Sequence, residues 1–155
     1  MPPGPKQSQK QLTSLENRLA TCREYKNLWQ EYFKFFADGF DDKKIYERDE
    51  QAFFQIMNVL AVNHYRFVEL AGDYFKDGEG VISVMTDSVS LSALKQMSEA
   101  QFSKLLIDWH TIFISMNKAI GKLMMQLAAA QPVGKGGKPA ANQQPPAQKS
   151  PPPAA

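Results

Sequence analysis

The chain has 155 residues, a formal net charge of +2 and one cysteine. This length fits a single domain, and a lone cysteine excludes an internal disulfide and the zinc or redox motifs that need a cysteine pair. The first ten residues contain no apolar run typical of a secretory signal, and charged residues interrupt the longest apolar stretch, 105–130. We therefore expect a soluble, cytoplasmic protein without a membrane span.

The prolines mark the boundaries of this domain. All ten lie within 2–5 or 132–153, so the long stretch between them is free of proline. A proline in a helix interior costs about 3 kcal/mol or more, which makes that stretch permissive for helices. We predict a helical domain over 12–130 between two disordered tails, 1–11 and 131–155. The second tail is rich in Pro, Ala and Lys, a composition that cannot bury enough apolar surface to fold.

Charge is unevenly distributed between the tails and the domain. The tails carry five lysines and no acidic residue, which leaves 13 basic and 16 acidic residues in 12–130, a net charge of about −3. A basic surface that follows a phosphate backbone is not expected on such a domain, so we predict no specific nucleic-acid partner. Weak association of the lysine-bearing tails with nucleic acid or a membrane surface remains an alternative function.

The first helix is predicted over 12–37. Its apolar positions recur at steps of three and four, the spacing of a coiled-coil seam. The positions are Leu12, Leu15, Leu19, Cys22, Lys26, Trp29, Phe33 and Phe36. Thr13 and Glu16 match a capping box at the start of the helix. Gly39 followed by Phe40 is typical of a helix C-terminus at which the apolar residue packs back.

The same spacing predicts a second helix over 49–75 and a third over 99–130, where Ser98 and Gln101 form a second possible capping box. The segment 81–97 has only partial periodicity, because serine and aspartate side chains compete with helix formation. We predict one short or broken helix there, which either crosses the bundle or forms an incomplete fourth member. The expected fold class is all-α, an antiparallel bundle of three long helices with this additional helix between the second and third.

Few residues in the sequence are candidates for a catalytic, haem-binding or metal-binding role. His64 lies within the apolar seam of the second helix and is interpreted as a neutral core histidine. The alternatives are a haem or metal ligand and a pH switch. Neither His64 nor His110 has a glutamate three residues before it, so the di-iron motif of helical bundles is absent. Asp108 and His110 are two residues apart and point about 200° away from each other on a helix, so they cannot form a catalytic pair. We predict no catalytic, cofactor-binding or metal-binding residue.

Two other seam residues have simple structural interpretations. Cys22 is expected to act as a small buried apolar group, as free cysteines often do. Lys26 is expected to lay its stem along the core and extend its ammonium group to solvent.

The aromatic density of the first helix is its most unusual feature. Leu28, Tyr32 and Phe35 belong to a second apolar stripe beside the main seam, and the two stripes cover an arc of about 200°, wider than the ~100° of an ordinary surface helix. The helix could be central, touching both other long helices and the 81–97 segment. Alternatively, Leu28, Tyr32 and Phe35 form a partner-binding face, because large exposed apolar patches usually mark contacts.

The function expected from these observations is that of a non-enzymatic helical interaction or scaffold protein. Its partner would be another protein or a second copy of the chain, bound through a helix face. An alternative from another class is a bundle that holds an apolar ligand or haem in its core through His64.

Overall fold

The computed structural model of the chain describes residues 5–40 and 43–131. Within these ranges it contains five α-helices and no strand, so the all-helical class is confirmed there. The helices are α1 (Pro5–Lys34), α2 (Glu47–Ala71), α3 (Gly78–Asp87), α4 (Leu91–Lys95) and α5 (Glu99–Ala130). No helix in the described ranges is both long enough and apolar enough to cross a membrane. Except for Gln131, the predicted tail 131–155 lies outside the described residues.

Helix α1 begins earlier than its sequence pattern indicated. It starts at Pro5, so the later part of the predicted N-terminal tail is helical and the predicted start at residue 12 is wrong. Proline suits the first turn of a helix, because its fixed φ is helical and the N–H it lacks would have no partner there. The expected cap at Thr13 is also wrong, because the helix runs through this residue and its hydroxyl donates to the carbonyl of Gln9 at 3.0 Å. At the other end α1 stops at Lys34, three residues before the predicted end at 37, and Gly39 follows the turn 35–38 with a φ of 77°.

Helix α2 is shifted by a few residues from the predicted range 49–75. It begins at Glu47, where the Asp49 carboxylate accepts the backbone N–H of Tyr46 at 2.9 Å. It ends at Ala71 because Gly72 has a φ of 59°, which turns the backbone out of the α-helix and into the 3-10 turn Gly72–Tyr74.

Segment 81–97 is a broken helix, one of the two predicted alternatives, and its two parts are the short helices α3 and α4. Ser88 and Ser90 lie at the break between them, and the Ser90 hydroxyl caps α4 by accepting the N–H of Ala93 at 3.0 Å. A distant residue completes this cap. The Glu50 carboxylate on α2 accepts the backbone N–H groups of Leu91 and Ser92 at 3.1 and 2.7 Å.

Helix α5 spans the predicted range 99–130. The Ser98 hydroxyl accepts the N–H of Gln101 at 3.2 Å, and the Gln101 side chain accepts the N–H of Ser98 at 3.1 Å. The predicted capping box is thus confirmed.

Helix α1 lies at the centre of the fold and packs along both α2 and α5. The stacked pair Tyr25 and Phe67 and the stacked pair Tyr32 and Phe53 join α1 to α2 in opposite chain order. The contacts with α5 also run in opposite chain order, because Phe36 meets Phe102 and Trp29 meets Trp109. Helices α2 and α5 make little contact with each other, and α3 packs mainly on α5.

Two tryptophans fix the register between α1 and α5. The rings of Trp29 and Trp109 are parallel with centroids 5.9 Å apart, and both side chains are buried. Each indole N–H donates to the backbone carbonyl of the other tryptophan, at 3.4 and 3.3 Å. A slip of either helix would break both hydrogen bonds, so this pair strongly favours one alignment.

Candidate interaction surface

The predicted partner-binding face is not an open surface. Tyr32 is fully buried, stacks on Phe53 and shares a hydrogen bond with the hydroxyl of Ser88. Leu28 and Phe35 are half-buried and pack against the core. The prediction is therefore wrong for Tyr32, because α2 and the end of α3 cover the second apolar stripe of α1. The wide stripe reflects the central position of the helix.

His64 is half-buried rather than fully buried. Its Nδ1 lies 3.4 Å from the hydroxyl of Tyr25, which also donates to the carbonyl of Leu60 at 3.3 Å. Burial lowers the pKa of His64, because removal from water disfavours the charged imidazolium. A haem held by His64 stays a prediction that an absorbance spectrum of the purified protein tests.

The other titratable residues singled out from the sequence lie apart from one another. Asp108 pairs with Lys104 at 2.6 Å, one turn away on α5, and not with His110. His110 is exposed, and its ring is close to perpendicular to those of Phe33 and Trp109, with ring centroids 5.1 and 5.0 Å away.

Cys22 is fully buried, and burial raises the pKa of its thiol to about 11. A thiol with this pKa is almost entirely protonated at neutral pH and is a poor nucleophile. Lys26 is half-buried on the same helix. Among residues 5–40 and 43–131, no three His, Cys, Asp or Glu side chains come together as a group that could hold a metal ion.

The most distinctive exposed surface lies on the outer side of α2. Phe54, Val62 and Tyr65 expose 50, 71 and 78 % of their surface, although aromatic and branched apolar side chains are usually covered. Positions 54, 58, 61, 62 and 65 share one face of the helix at 3.6 residues per turn. This face lies opposite the buried row of Phe53, Leu60 and Phe67. We call it the α2 outer face.

The α2 outer face carries no charge. The 15 residues 51–65 include no Asp, Glu, Lys or Arg. An exposed helix face normally carries charged side chains, so an uncharged face of about 22 Å is unusual. The uncharged run is visible in the sequence, on the side of α2 opposite the apolar seam from which the helix was predicted.

Other exposed apolar residues occur along α5, but charges interrupt them. Ile107, Ile114 and Met125 expose 65, 53 and 72 % of their surface. The Lys104–Asp108 ion pair and Lys118 lie among them on the same side of the helix. The α2 outer face is therefore the better candidate for an interface from which water is excluded.

Comparison of the chain with protein-family models, with curated proteins and with solved structures finds no match.

Proposed function

We propose that this protein is a non-enzymatic interaction protein that associates with a second copy of itself through the α2 outer face. The observation that carries the proposal is the combination of exposed Phe54, Val62 and Tyr65 with the uncharged run 51–65. Aromatic side chains such as tyrosine are enriched among the residues that supply most of the binding energy of protein interfaces, and burial of Val62 removes further apolar surface from water. An exposed patch of this kind is a typical mark of a contact surface.

The charge distribution favours a second copy as the partner. Charged side chains of both signs flank the uncharged run, Glu47, Arg48, Asp49 and Glu50 at its start and Arg66 and Glu69 at its end. Glu47, Arg48, Arg66 and Glu69 are exposed. In an antiparallel pair the acidic start of one face lies beside Arg66 of the other copy, so charge of one sign is not concentrated. The apolar centre is complementary to itself, as a two-fold interface requires.

The non-enzymatic part of the proposal is supported by the environment of the candidate chemical groups. His64 lies beside Tyr25, Asp108 pairs with Lys104, and Cys22 is buried with a raised pKa. These groups are spread over α1, α2 and α5 and do not converge on one cavity, whereas catalysis needs a nucleophile, base and stabilising donors within reach of one another.

The bundle itself is proposed to be the rigid support for this surface. We infer an antiparallel arrangement of α1, α2 and α5, with α3 and α4 together acting as a short fourth member. The chain order of the α1 contacts with α2 and α5 supports this arrangement, as does the packing of α3 on α5. In such a bundle α2 has one side on the core and one free side, which is the α2 outer face.

Sedimentation equilibrium of the full chain tests self-association. Two single helix faces bury less than the about 1,200–2,000 Å² of a standard interface, so we expect a weak dimer with a Kd in the micromolar range or above. The double variant Val62→Gln/Tyr65→Gln should raise that Kd at least about 100-fold, because burial of each side chain contributes roughly 1.5–3 kcal/mol.

The matched control is Ile107→Gln/Ile114→Gln on α5. It replaces two exposed apolar residues by the same polar residue and leaves α2 unchanged. We expect this control to associate like the unmodified chain. A chain that is monomeric throughout the millimolar range, or an equal loss of association in both double variants, would overturn the proposal.

A further inference from the structure

A second surface feature is a groove between the first half of α1 and the last turns of α2. It has a volume of about 410 Å³. Three basic side chains line it, Lys10, Arg18 and Arg66, and none of the described residues in its wall is acidic. Hydroxyl and amide groups form most of the remaining wall. They belong to Thr13, Ser14, Asn17 and Thr21.

Helical spacing brings these side chains together. Lys10, Ser14, Arg18 and Thr21 follow one another at steps of four, four and three, which places them on one face of α1. Arg66 lies one turn before Leu70 on α2, and Leu70 also borders the groove. Neither helix alone forms the cluster, because the third cation comes from the opposite wall.

Arg18 is held in position by the end of α2. Its Nε and Nη2 donate to the backbone carbonyl of Leu70 at 3.0 and 2.9 Å. Leu70 lies in the last turn of α2, where carbonyl groups lack a partner within the helix. A guanidinium group has five N–H donors, so both donors on Nη1 and one on Nη2 remain for another acceptor. The side chain is thus fixed before any ligand arrives, which reduces the ordering cost of binding.

Further hydrogen-bond donors in the groove are free. Ser14, Asn17 and Thr21 make no side-chain hydrogen bond among the described residues, whereas Thr13 donates to Gln9. The two other cations are exposed, and the ion pairs found in the described ranges, Lys34–Glu31 and Lys104–Asp108, do not include them.

We propose that this groove binds a compact phosphate ester or oligophosphate. A fixed arginine provides several N–H donors in a fork that matches phosphate oxygens. Lys10 and Arg66 add positive charge from both walls, and the free hydroxyl groups can donate to the remaining oxygens. The volume is within the range of small-ligand sites, about 300–1,000 Å³.

The surroundings favour a compact anion over a long nucleic acid. The groove from residue 10 to residue 21 is only about 17 Å long at 1.5 Å per residue. Exposed carboxylates of Glu16 and Glu69 lie on the same two helices, and residues 12–130 carry more acidic than basic side chains. A long phosphate backbone would therefore meet negative charge as soon as it left the groove.

Calorimetric titration of the full chain with inorganic pyrophosphate and with an inositol trisphosphate, at low ionic strength, tests this site. We expect saturable binding with one site per chain. Lys10→Gln and Arg66→Gln should each raise the Kd about tenfold, the size expected for loss of one charge-assisted hydrogen bond. These variants are preferred to a change at Arg18, since Arg18 also stabilises the end of α2. Their melting temperatures should equal that of the unmodified chain.

The matched control is Lys118→Gln, which removes one exposed positive charge from α5, outside the groove. Its Kd should change less than twofold. Equal weakening by all three variants, or no saturable binding of either probe, would overturn the proposal, because it would show attraction by overall charge alone.

A vesicle experiment separates a free ligand from a lipid headgroup. Vesicles containing a phosphoinositide bisphosphate are compared with vesicles of the same total charge made with phosphatidylserine. Preferential binding to the phosphoinositide, reversed by the soluble inositol phosphate, would support the groove with a headgroup as its ligand. Binding to soluble probes without vesicle binding would support it with a free ligand. Equal binding to both vesicles, without binding of the soluble probes, would contradict it.

Discussion

Replacement of Tyr32 separates a core role for the aromatic stripe of α1 from a binding role. The side chain is fully buried, stacks on Phe53 and bonds to Ser88. Truncation of a buried aromatic residue to alanine costs about 3–5 kcal/mol. We therefore expect Tyr32→Ala to lose a free energy of unfolding of this size, a large share of the 5–15 kcal/mol typical of a domain.

The milder variant Tyr32→Phe keeps the ring and removes only the hydroxyl. After this change the Ser88 hydroxyl still donates to the carbonyl of Val84 at 2.6 Å, so no buried polar group is left without a partner. We expect a loss of about 0.5–1.5 kcal/mol. For a domain of this size that corresponds to a fall in Tm of roughly 2–6 °C.

Urea unfolding gives the two free energies, and sedimentation of the same samples gives the oligomeric state. Ile107→Ala is the control, because its side chain is 65 % exposed on α5, outside the α2 outer face, and its loss should change stability by less than about 0.5 kcal/mol. If Tyr32→Ala kept full stability and lost only self-association, Tyr32 would be a contact residue and its assignment to the core would be refuted.

Three further predictions concern His64, Glu50 and Cys22. Since burial lowers the pKa of His64, the unfolded chain binds the proton more tightly, so stability should fall as pH drops below the ordinary value of 6.5. His64→Gln should flatten this dependence in urea titrations at several pH values, and an unchanged dependence in the variant would contradict the assignment. Glu50→Ala removes the acceptor for the first N–H groups of α4 and should cost about 1–3 kcal/mol, with faster hydrogen exchange confined at first to Leu91–Lys95; unchanged exchange there would contradict the capping role. The Cys22 thiol should react with a disulfide reagent only as fast as the chain opens, because it is buried and its pKa is raised to about 11, whereas stoichiometric labelling within seconds would disprove this.

Local signals explain which parts of the fold could be predicted. The bounds of α5 were predictable because Ser98 and Gln101 mark its start and Pro132 excludes its continuation. A similar capping pattern gave a wrong start for α1, because Thr13 resembles a cap but lies within a helix that begins at Pro5. A capping pattern shows that a helix can start at a residue, and it does not exclude a helix that is already formed.

Contacts between distant residues account for what could not be predicted. The bond from Arg18 to Leu70 spans 52 residues, and that from Leu91 to Glu50 spans 41. Both depend on the alignment of neighbouring helices, which the spacing of apolar residues within one helix does not specify. The same holds for Tyr32, because its burial follows from the positions of α2 and α3 around α1. The α2 outer face differs, since its uncharged run is visible in the sequence alone.

Arg66 links the two proposed surfaces, and this leads to a last prediction. It lines the groove beside Arg18 and directly follows Tyr65 on the α2 outer face. Helix dipoles favour an antiparallel pair of α2 helices. A pair centred on the uncharged run would bring the acidic first turn of the second copy, Glu47–Glu50, alongside Arg66. Carboxylates placed there would compete with a bound phosphate for the same cation.

Anion binding and self-association should therefore oppose each other. Addition of saturating pyrophosphate should raise the Kd of self-association. By thermodynamic linkage, self-association should weaken pyrophosphate binding by the same factor. The Val62→Gln/Tyr65→Gln variant, which stays monomeric, should therefore bind pyrophosphate more tightly than the associated unmodified chain. The variant adds no charge, so a tighter complex cannot come from a change in the field of the groove. Sedimentation with and without pyrophosphate measures the first effect, and calorimetry measures the second. If pyrophosphate strengthened self-association, a cation rather than a carboxylate of the second copy would lie beside Arg66, and the antiparallel pairing would be wrong.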